Sequence, residues 1–569
     1  MVSEILSGWM KEAFVKALPD ADISRVTVQE AANPAFGDYQ CNEAMGIAKG
    51  LRKPPRDVAA SVIAAAGAHP LVASLEIAGP GFINIRLKDD GLIESLEKMV
   101  CAERMGVPDD GAGQCVVIDY SSPNIAKPMH IGHIRSTIIG NALDRLYRRL
   151  GYRVIADNHI GDWGTQFGII IMGYRHFADQ EALQRAPVEE LERIYVKSYE
   201  KTREDEAWME QCRAELVKLQ AGDPDNLALW EKFIELSLGE FDRVYRRLGV
   251  SFDLIRGESY YRDKLAGLLE RLEHEGLAVE SEGARVVMLE EEGLPLCIVR
   301  KRDGGFNYAT SDIATVLSRE DEFSPACIIY VTDERQQLHF KQVFSICRKL
   351  GCETPLMHVW FGLMRLPEGT FSTRQGNVIK LEALLDEAEA RALKIVKESS
   401  PDMPEAQQRE VARAVGLGAV KYADLSQNPQ TMITFTWEKA LALDGNSAPY
   451  LQYACARICS VREKYVQQFG AAGLQAAGIM ITHPAERELV LQLLRYPDIV
   501  RRAALLYKPS VLADGLYAIA QKYSTFYQNV PFLKADSGVR ESRIRLCAVT
   551  AQILQDGLAL LGIETPERI

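Results

Sequence analysis

The 11 cysteines contain no CxxC pair, and sites such as Cys41, Cys115 and Cys297 stand apart in apolar surroundings. That scatter excludes a zinc ribbon or a disulfide framework and predicts reduced, mostly buried thiols. The chain lacks any run of about 18 or more apolar residues, the minimum for a helix that crosses a bilayer. Its start, MVSEILSGWMKEAF, has an early acid and helical spacing where a secretory leader would have a basic, apolar stretch. A cytosolic chain without a membrane partner is expected. Histidine is also sparse, at 9 in 569 residues, yet His130 and His133 fall within one turn.

At 47% hydrophobic residues over this length, two to four well-filled domains are expected. The net charge of −12 would count against nucleic acid if it were evenly spread. It is not: residues 391–569 hold 21 basic and 17 acidic residues, so this part carries +4 and the rest −16. Arg495, Arg501, Arg502 and Lys508 cluster there, as do Arg540, Arg543 and Arg545, with Tyr496, Tyr507, Tyr517, Tyr523 and Tyr527 nearby. These residues suit phosphates and stacked bases, or equally an ordinary solvated face over an aromatic core.

The densest chemistry lies between Val116 and Gly168. Val116 to Tyr120 is a β-branched run, broken by Ser121, Ser122, Pro123 and Asn124; Ile134, Ile138, Ala142, Leu146 and Leu150 then recur every fourth residue before Val154 and Ile155 resume strand character. This is a βαβ crossover. Its helix starts at the carboxyl end of the first strand, where free N–H groups and the positive dipole end favour phosphate. His130, Gly132 and His133 sit at that point. Fixed imidazole donors would stabilise charge spreading over phosphate oxygens, Gly132 would leave room for adenosine, and Lys127 and Arg135 would add cationic donors. A chance pair of histidines, or a metal pair on a helix without the Glu of HExxH, stays open from these residues alone.

The run SSPNIAKPMHIGHIRSTIIG resembles the HIGH region of class I arginyl-tRNA synthetases, and DNHIGDWGTQFG, TDERQQLHFKQVF and DGNSAPYLQYACARI resemble further blocks of that family in the same order. The resemblance spans essentially the whole chain. It implies a multidomain α/β protein with a Rossmann-like class I core, an N-terminal α+β domain and a C-terminal all-α anticodon-binding bundle. It also implies an arginine–tRNA ligase using ATP and Mg²⁺, acting on L-arginine and tRNA(Arg) through the terminal 2′-OH, commonly needing tRNA before arginine is activated, and monomeric.

Texture along the chain gives three regions. Residues 1–110 read as the small α+β unit, bounded by PDDGAG; by resemblance Asn33, Phe36, Asp38, Tyr39 and Asn42 would touch tRNA, with turn formation and local packing as the other reading. Residues 111–390 alternate strands and helices as a doubly wound sheet requires, with a charged helical insertion around 187–250. Residues 391–569 read as a helical bundle, where Asn446, Ala448, Tyr450, Gln452 and Tyr453 would face tRNA by resemblance.

Residues Ser372, Thr373, Arg374, Gln375, Gly376 and Asn377 occupy the place of the second class I signature. They lack its lysine, a gap that Lys127 would fill by resemblance, with Arg374 adding charge on the phosphates; a plain Gly-Asn turn is the other reading. A guanidinium calls for carboxylates and planar acceptors. By resemblance, Tyr308 and Asp312 would grip it with Gln336 nearby, Asn124 would hold the α-amino or carboxylate end, and Asp119 and Glu258 are further candidates. Taken singly, Asp312 reads as a helix cap or a surface acid. Two other classes remain open from sequence: a nucleotidylyl transferase on the same fold, and a catalytically silent RNA-binding relative.

Overall fold

The structure, a computed structural model, describes residues 1–31, 33–365, 380–471 and 478–569. Its centre is a parallel sheet of five strands: β1 (Cys115–Asp119), β2 (Arg153–Asn158), β3 (Leu254–Ile255), β4 (Cys327–Asp333) and β5 (Leu356–Phe361), in spatial order 3-2-1-4-5. All five residues of β1 are buried, as expected of a strand covered on both faces. Helix α1 (Ile131–Arg149) makes the crossover from β1 to β2 and buries Ile134, Ile138, Ala142 and Leu146, the same i, i+4 stripe visible in the sequence. Strand order reverses between β1 and β4, so a crevice opens at their carboxyl ends.

The N-terminal unit is an antiparallel sheet of Gln29–Glu30, Tyr39–Cys41, Phe82–Leu87 and Val72–Ala78 under helices that include Val2–Ala17 and Pro55–Ala66. A helical excursion leaves the central sheet at Gln166, earlier than the expected 187, and ends at Leu248. Its first helix, Gln166–Phe177, buries Ile169, Ile170, Ile171 and Met172, an apolar run that sequence alone does not separate from a strand. Beyond residue 380 the described chain is helical apart from a two-residue strand at Ile433–Thr434. No described helix is long and apolar enough to cross a membrane. Cys41, Cys115 and Cys297 are buried.

Much of the basic charge of the last region has a partner in the acidic first region. Arg487 grips Asp38 at 2.7 and 2.8 Å and Asp89 at 2.7 Å; Arg501 grips Asp110 at 2.6 Å and Glu4 at 2.7 Å; Arg545 pairs with Glu97. Arg543 is buried on Glu486. Tyr496 and Tyr523 are also buried. Arg487, Arg501 and Arg545 therefore act as a clasp between the two ends of the chain. At the other face, buried Lys421 donates to the carbonyls of Leu248 and Gly562 at 2.6 and 2.5 Å, joining the helical excursion to the bundle; burial pushes its pKa down to about 7.

Candidate active site

The loop that follows β1 is wound against its preference. Ser121, Ser122 and Ala126 have φ of 74°, 49° and 62°, a left-handed region that costs a non-glycine residue roughly 1 kcal/mol or more. Hydrogen bonds from every side hold it. Ser121 N–H donates to Ser136 Oγ at 2.8 Å, and its hydroxyl meets Thr137 Oγ1 and Tyr245 OH, both at 2.8 Å. Ser122 N–H donates to Asn158 Oδ1 at 3.0 Å, and Ala126 N–H to Ser237 Oγ at 3.0 Å. The crevice wall is thus shaped without any ligand.

His130 caps α1: its Nδ1 accepts from Gly132 N–H at 3.0 Å, while His133 Nδ1 accepts from His130 N–H at 3.1 Å. An accepting Nδ1 puts the ring proton of each neutral imidazole on Nε2. The rings lie 4.0 Å apart between centroids. Burial lowers both pKa values, with His130 lowered further by Lys127 and Arg335, and His133 driven to about 3. Near neutral pH the pair is therefore two uncharged Nε2–H donors at the positive end of a helix, suited to phosphate oxygens and unsuited to general-base work.

Gly132 is required by its neighbour. A Cβ there would stand 2.7 Å from His130 Cε1 and 2.9 Å from Nδ1. Gly132→Ala is expected to tilt the His130 ring and weaken binding of a phosphate-bearing ligand about tenfold, with an unchanged thermal midpoint, in equilibrium titrations. Lys127 is exposed beside this pair, its Nζ 5.1 Å from the centre of the Tyr195 ring. Sequence reading missed Arg335, which is held by Asp333 and close enough to depress His130; Lys380 pairs through its backbone with that of His130, while its ammonium pairs with Glu189 at 2.9 Å. Arg135 needs correction: it is buried, held bidentately by Asp424 at 2.9–3.1 Å and donating to the Gly362, Thr431 and Pro429 carbonyls, so it faces away from the phosphate site. Ser372, Thr373 and Arg374 lie outside the described residues.

Across the crevice an acid-lined hollow opens beside helix α2 (Tyr308–Phe323). Asp312 accepts from His339 Nε2 at 2.5 Å on one carboxylate oxygen. Glu258 has no cation partner among the described residues, and burial, Asp312 and Asp162 push its pKa up to about 8. Its charge in turn raises the pKa of the half-exposed Tyr308, after burial. Gln336 is exposed beside Arg335, and Asn124 forms a backbone bridge with Gly161. Carboxyl groups left partly free, Glu258 with no cation partner among the described residues and Asp312 engaged by His339 on one oxygen, are what a guanidinium ligand needs. Asp119 is a correction: it accepts from Arg319 Nη2 at 2.7 Å and from Ser122 Oγ at 2.9 Å, buried beneath the hollow. Its charge is satisfied by a guanidinium the protein supplies.

Residues 95–437 match the catalytic domain of class I tRNA synthetases (R), residues 4–87 an arginyl tRNA synthetase N-terminal domain, and residues 451–569 a DALR anticodon binding domain. The chain belongs to the class I arginyl-tRNA synthetases. It is 45% identical to the arginine–tRNA ligase of Fusobacterium nucleatum over 546 residues, covering 96% of this chain and 95% of that one. The arginyl-tRNA synthetase structures from Plasmodium falciparum and Thermus thermophilus superpose with a TM-score of 0.84 each, at 27% and 25% identity, over 100% of this chain and 99% and 100% of theirs.

In this arginyl-tRNA synthetase fold the expected RNA-facing residues divide by exposure. Asn33 and Phe36 are exposed on the N-terminal unit. Asp38 and Tyr39 are not: Asp38 is buried on Arg487 and the Leu87 N–H, and Tyr39 faces the core. Both are corrections: Tyr39 is on the inner face of its strand, and Asp38, just before that strand, is taken up by Arg487. Gln452 is also corrected; fully buried, it donates to the carbonyls of Ala414 and Glu564. Asn446 is exposed and engaged with Tyr422 and Asp514, Tyr450 is half-buried, and Tyr453 is exposed. Tyr453 borders a cavity of about 790 Å³ that also takes in Arg457, Lys464, Tyr527 and Arg568. Arg457 lies between Tyr453 and Tyr527, 4.8 and 5.2 Å from their ring centres. Sequence reading passed over Arg457, which sits one turn after Tyr453 in the helix Ala448–Phe469 and shares its outer face.

Proposed function

We propose that the chain is an arginine–tRNA ligase that works in two steps. The arginine carboxylate attacks the α-phosphorus of ATP, breaking the bond to pyrophosphate and forming arginyl-adenylate. The terminal 2′-OH of tRNA(Arg) then attacks the activated carbonyl, releasing AMP, and the hydroxyl proton passes to solvent. One observation carries this reading: neutral imidazole donors and an acid hollow, in which Glu258 has no cation partner among the described residues, face the same crevice. His130 and His133 bridge the charged transition state through Nε2–H, Lys127 supplies charge that the worn second signature lacks, and Ser372, Thr373 and Arg374 act on the β- and γ-phosphates. Tyr308, Asp312, Glu258 and Gln336 select the guanidinium, and Asn124 the α-amino end. Asn33, Phe36, Asn446, Tyr450 and Tyr453 face tRNA, with the Arg457 hollow receiving an unstacked base. Mg²⁺ comes with ATP, held by phosphates and water, as suits a cation that dehydrates reluctantly.

We further propose three working regions, 1–110 for tRNA contact, 111–390 for catalysis and 391–569 for the anticodon, in a cytosolic monomer. The decisive assay supplies ATP, Mg²⁺, each of the twenty amino acids and total tRNA. Charging confined to arginine is expected. Adenylate formation with transfer to another acceptor would favour a nucleotidylyl transferase, and tRNA retention without turnover a silent paralogue. ATP–pyrophosphate exchange is expected to be weak until tRNA is added.

The hollow also makes binding depend on pH. With its pKa near 8 in the empty site, Glu258 is mostly protonated at neutral pH, and an arriving guanidinium favours the ionised form, so binding releases a proton. Affinity then rises with pH up to about 8, by at most about tenfold per unit. The arginine KM is expected to fall between about pH 6.5 and 8, and Glu258→Gln to flatten that slope. An equally steep slope in the variant would show that another group titrates.

A further inference from the structure

His159, in the turn after β2, is held on the same wall as Asn124. Gly161 N–H donates to the Pro123 carbonyl and Ile125 N–H to the Gly161 carbonyl, each at 3.1 Å, which ties this turn to the one after β1. The His159 ring is fixed as well: Nδ1 lies 3.1 Å from the Arg256 carbonyl oxygen, which can only accept, so Nδ1 carries a proton. The other nitrogen, Nε2, is buried without a hydrogen-bond partner. It stands 3.9 Å from Asp312 Oδ1, beyond hydrogen-bond reach, while the opposite oxygen of Asp312 is taken by His339.

A lone pair left unsatisfied beside a carboxylate is costly unless a donor arrives between them. A nitrogen about 2.9 Å from each of two acceptors spaced this way fits without strain. We propose that His159 Nε2 accepts from the guanidinium of bound arginine and shares that group with Asp312, making His159 a specificity-determining residue. This rests on the arginine pocket read above. Carboxylates already surround the ring: Asp157 and Asp162 lie near it, Asp312 Oδ1 stands 3.9 Å from it, and Tyr261 packs 5.7 Å away. A planar ring nitrogen completes the contacts and matches a planar fork better than it would a lysine ammonium.

The test compares wild type with His159→Asn, His159→Gln and Asp312→Asn, reading KM for arginine and for ATP, kcat and thermal midpoint. Asparagine keeps a donor for the Arg256 carbonyl and removes the distal acceptor; glutamine restores an acceptor near the Nε2 position. His159→Asn is expected to raise the arginine KM about tenfold, with ATP KM and midpoint unchanged, and His159→Gln to recover most of that loss. An arginine KM within twofold of wild type in His159→Asn, while Asp312→Asn is severely impaired, overturns the role of His159 and leaves the pocket standing. Parallel rises in both KM values, or no recovery with glutamine, overturn it as a merely structural residue. Unimpaired Asp312→Asn removes the pocket itself.

Discussion

Asp312→Asn is expected to lower kcat/KM for arginine by roughly a thousandfold, about 4 kcal/mol, while the ATP KM moves less than threefold. The size follows from what is lost. A charged, partly buried acceptor is replaced by a neutral amide of the same shape, so the guanidinium would enter the hollow with one carboxylate fewer, and charge-assisted bonds are about twice as strong as neutral ones. The change also strips His339 of the partner it holds at 2.5 Å, so the amide orientation that suits the substrate and the one that suits His339 compete. Charging assays with arginine and ATP varied separately provide the check; a parallel loss in both would mean the fold, and not the pocket, had changed.

Arg135→Met is expected to destabilise the protein by about 3–5 kcal/mol and lower the thermal midpoint by about 3–4 °C. The guanidinium is buried with the Asp424 carboxylate and also satisfies three carbonyls on the segment leading through Gly362 and on the turn Pro429–Thr431. Removing it leaves a buried carboxylate with no countercharge, the expensive way to break such a pair. The double variant Arg135→Met, Asp424→Leu removes both charges and is expected to regain at least half of the lost midpoint. Calorimetry of wild type and the two variants separates these outcomes. A single variant within 2 °C of wild type would show that the pair does not hold the helical region to the first signature.

Both residues show where sequence reading stops. The β1–α1–β2 unit was legible because each of its signals is local: a β-branched run, a breaking Ser-Ser-Pro-Asn, and apolar residues at four-residue spacing. The placement of His130, Gly132 and His133 at the helix start came with it. Arg135 looked like a phosphate donor because it is two residues from His133; its partner Asp424 lies 289 positions away and leaves no trace near the motif. Asp119 was misjudged for the same reason, its partner Arg319 being 200 positions distant. The basic clusters of the last region fit RNA phosphates or an ordinary face equally well in sequence, because the acids that meet Arg501 and Arg545, at Glu4, Asp110 and Glu97, lie hundreds of positions away. His159 and His339 gave no signal because their meaning depends on which ring nitrogen meets which neighbour.

The hydroxyl of Tyr245 has a bearing on how small such an enzyme could become. It reaches Ser121 Oγ at 2.8 Å and accepts from Asn158 Nδ2 at 3.1 Å, so the last turn of the helix Pro224–Leu248 helps to hold the left-handed serines in place. A trimmed version could shorten the outer helix Glu206–Gln220 at the expense of local packing. Deleting the stretch that carries Tyr245 would instead let the serines relax and the nucleotide crevice lose its shape.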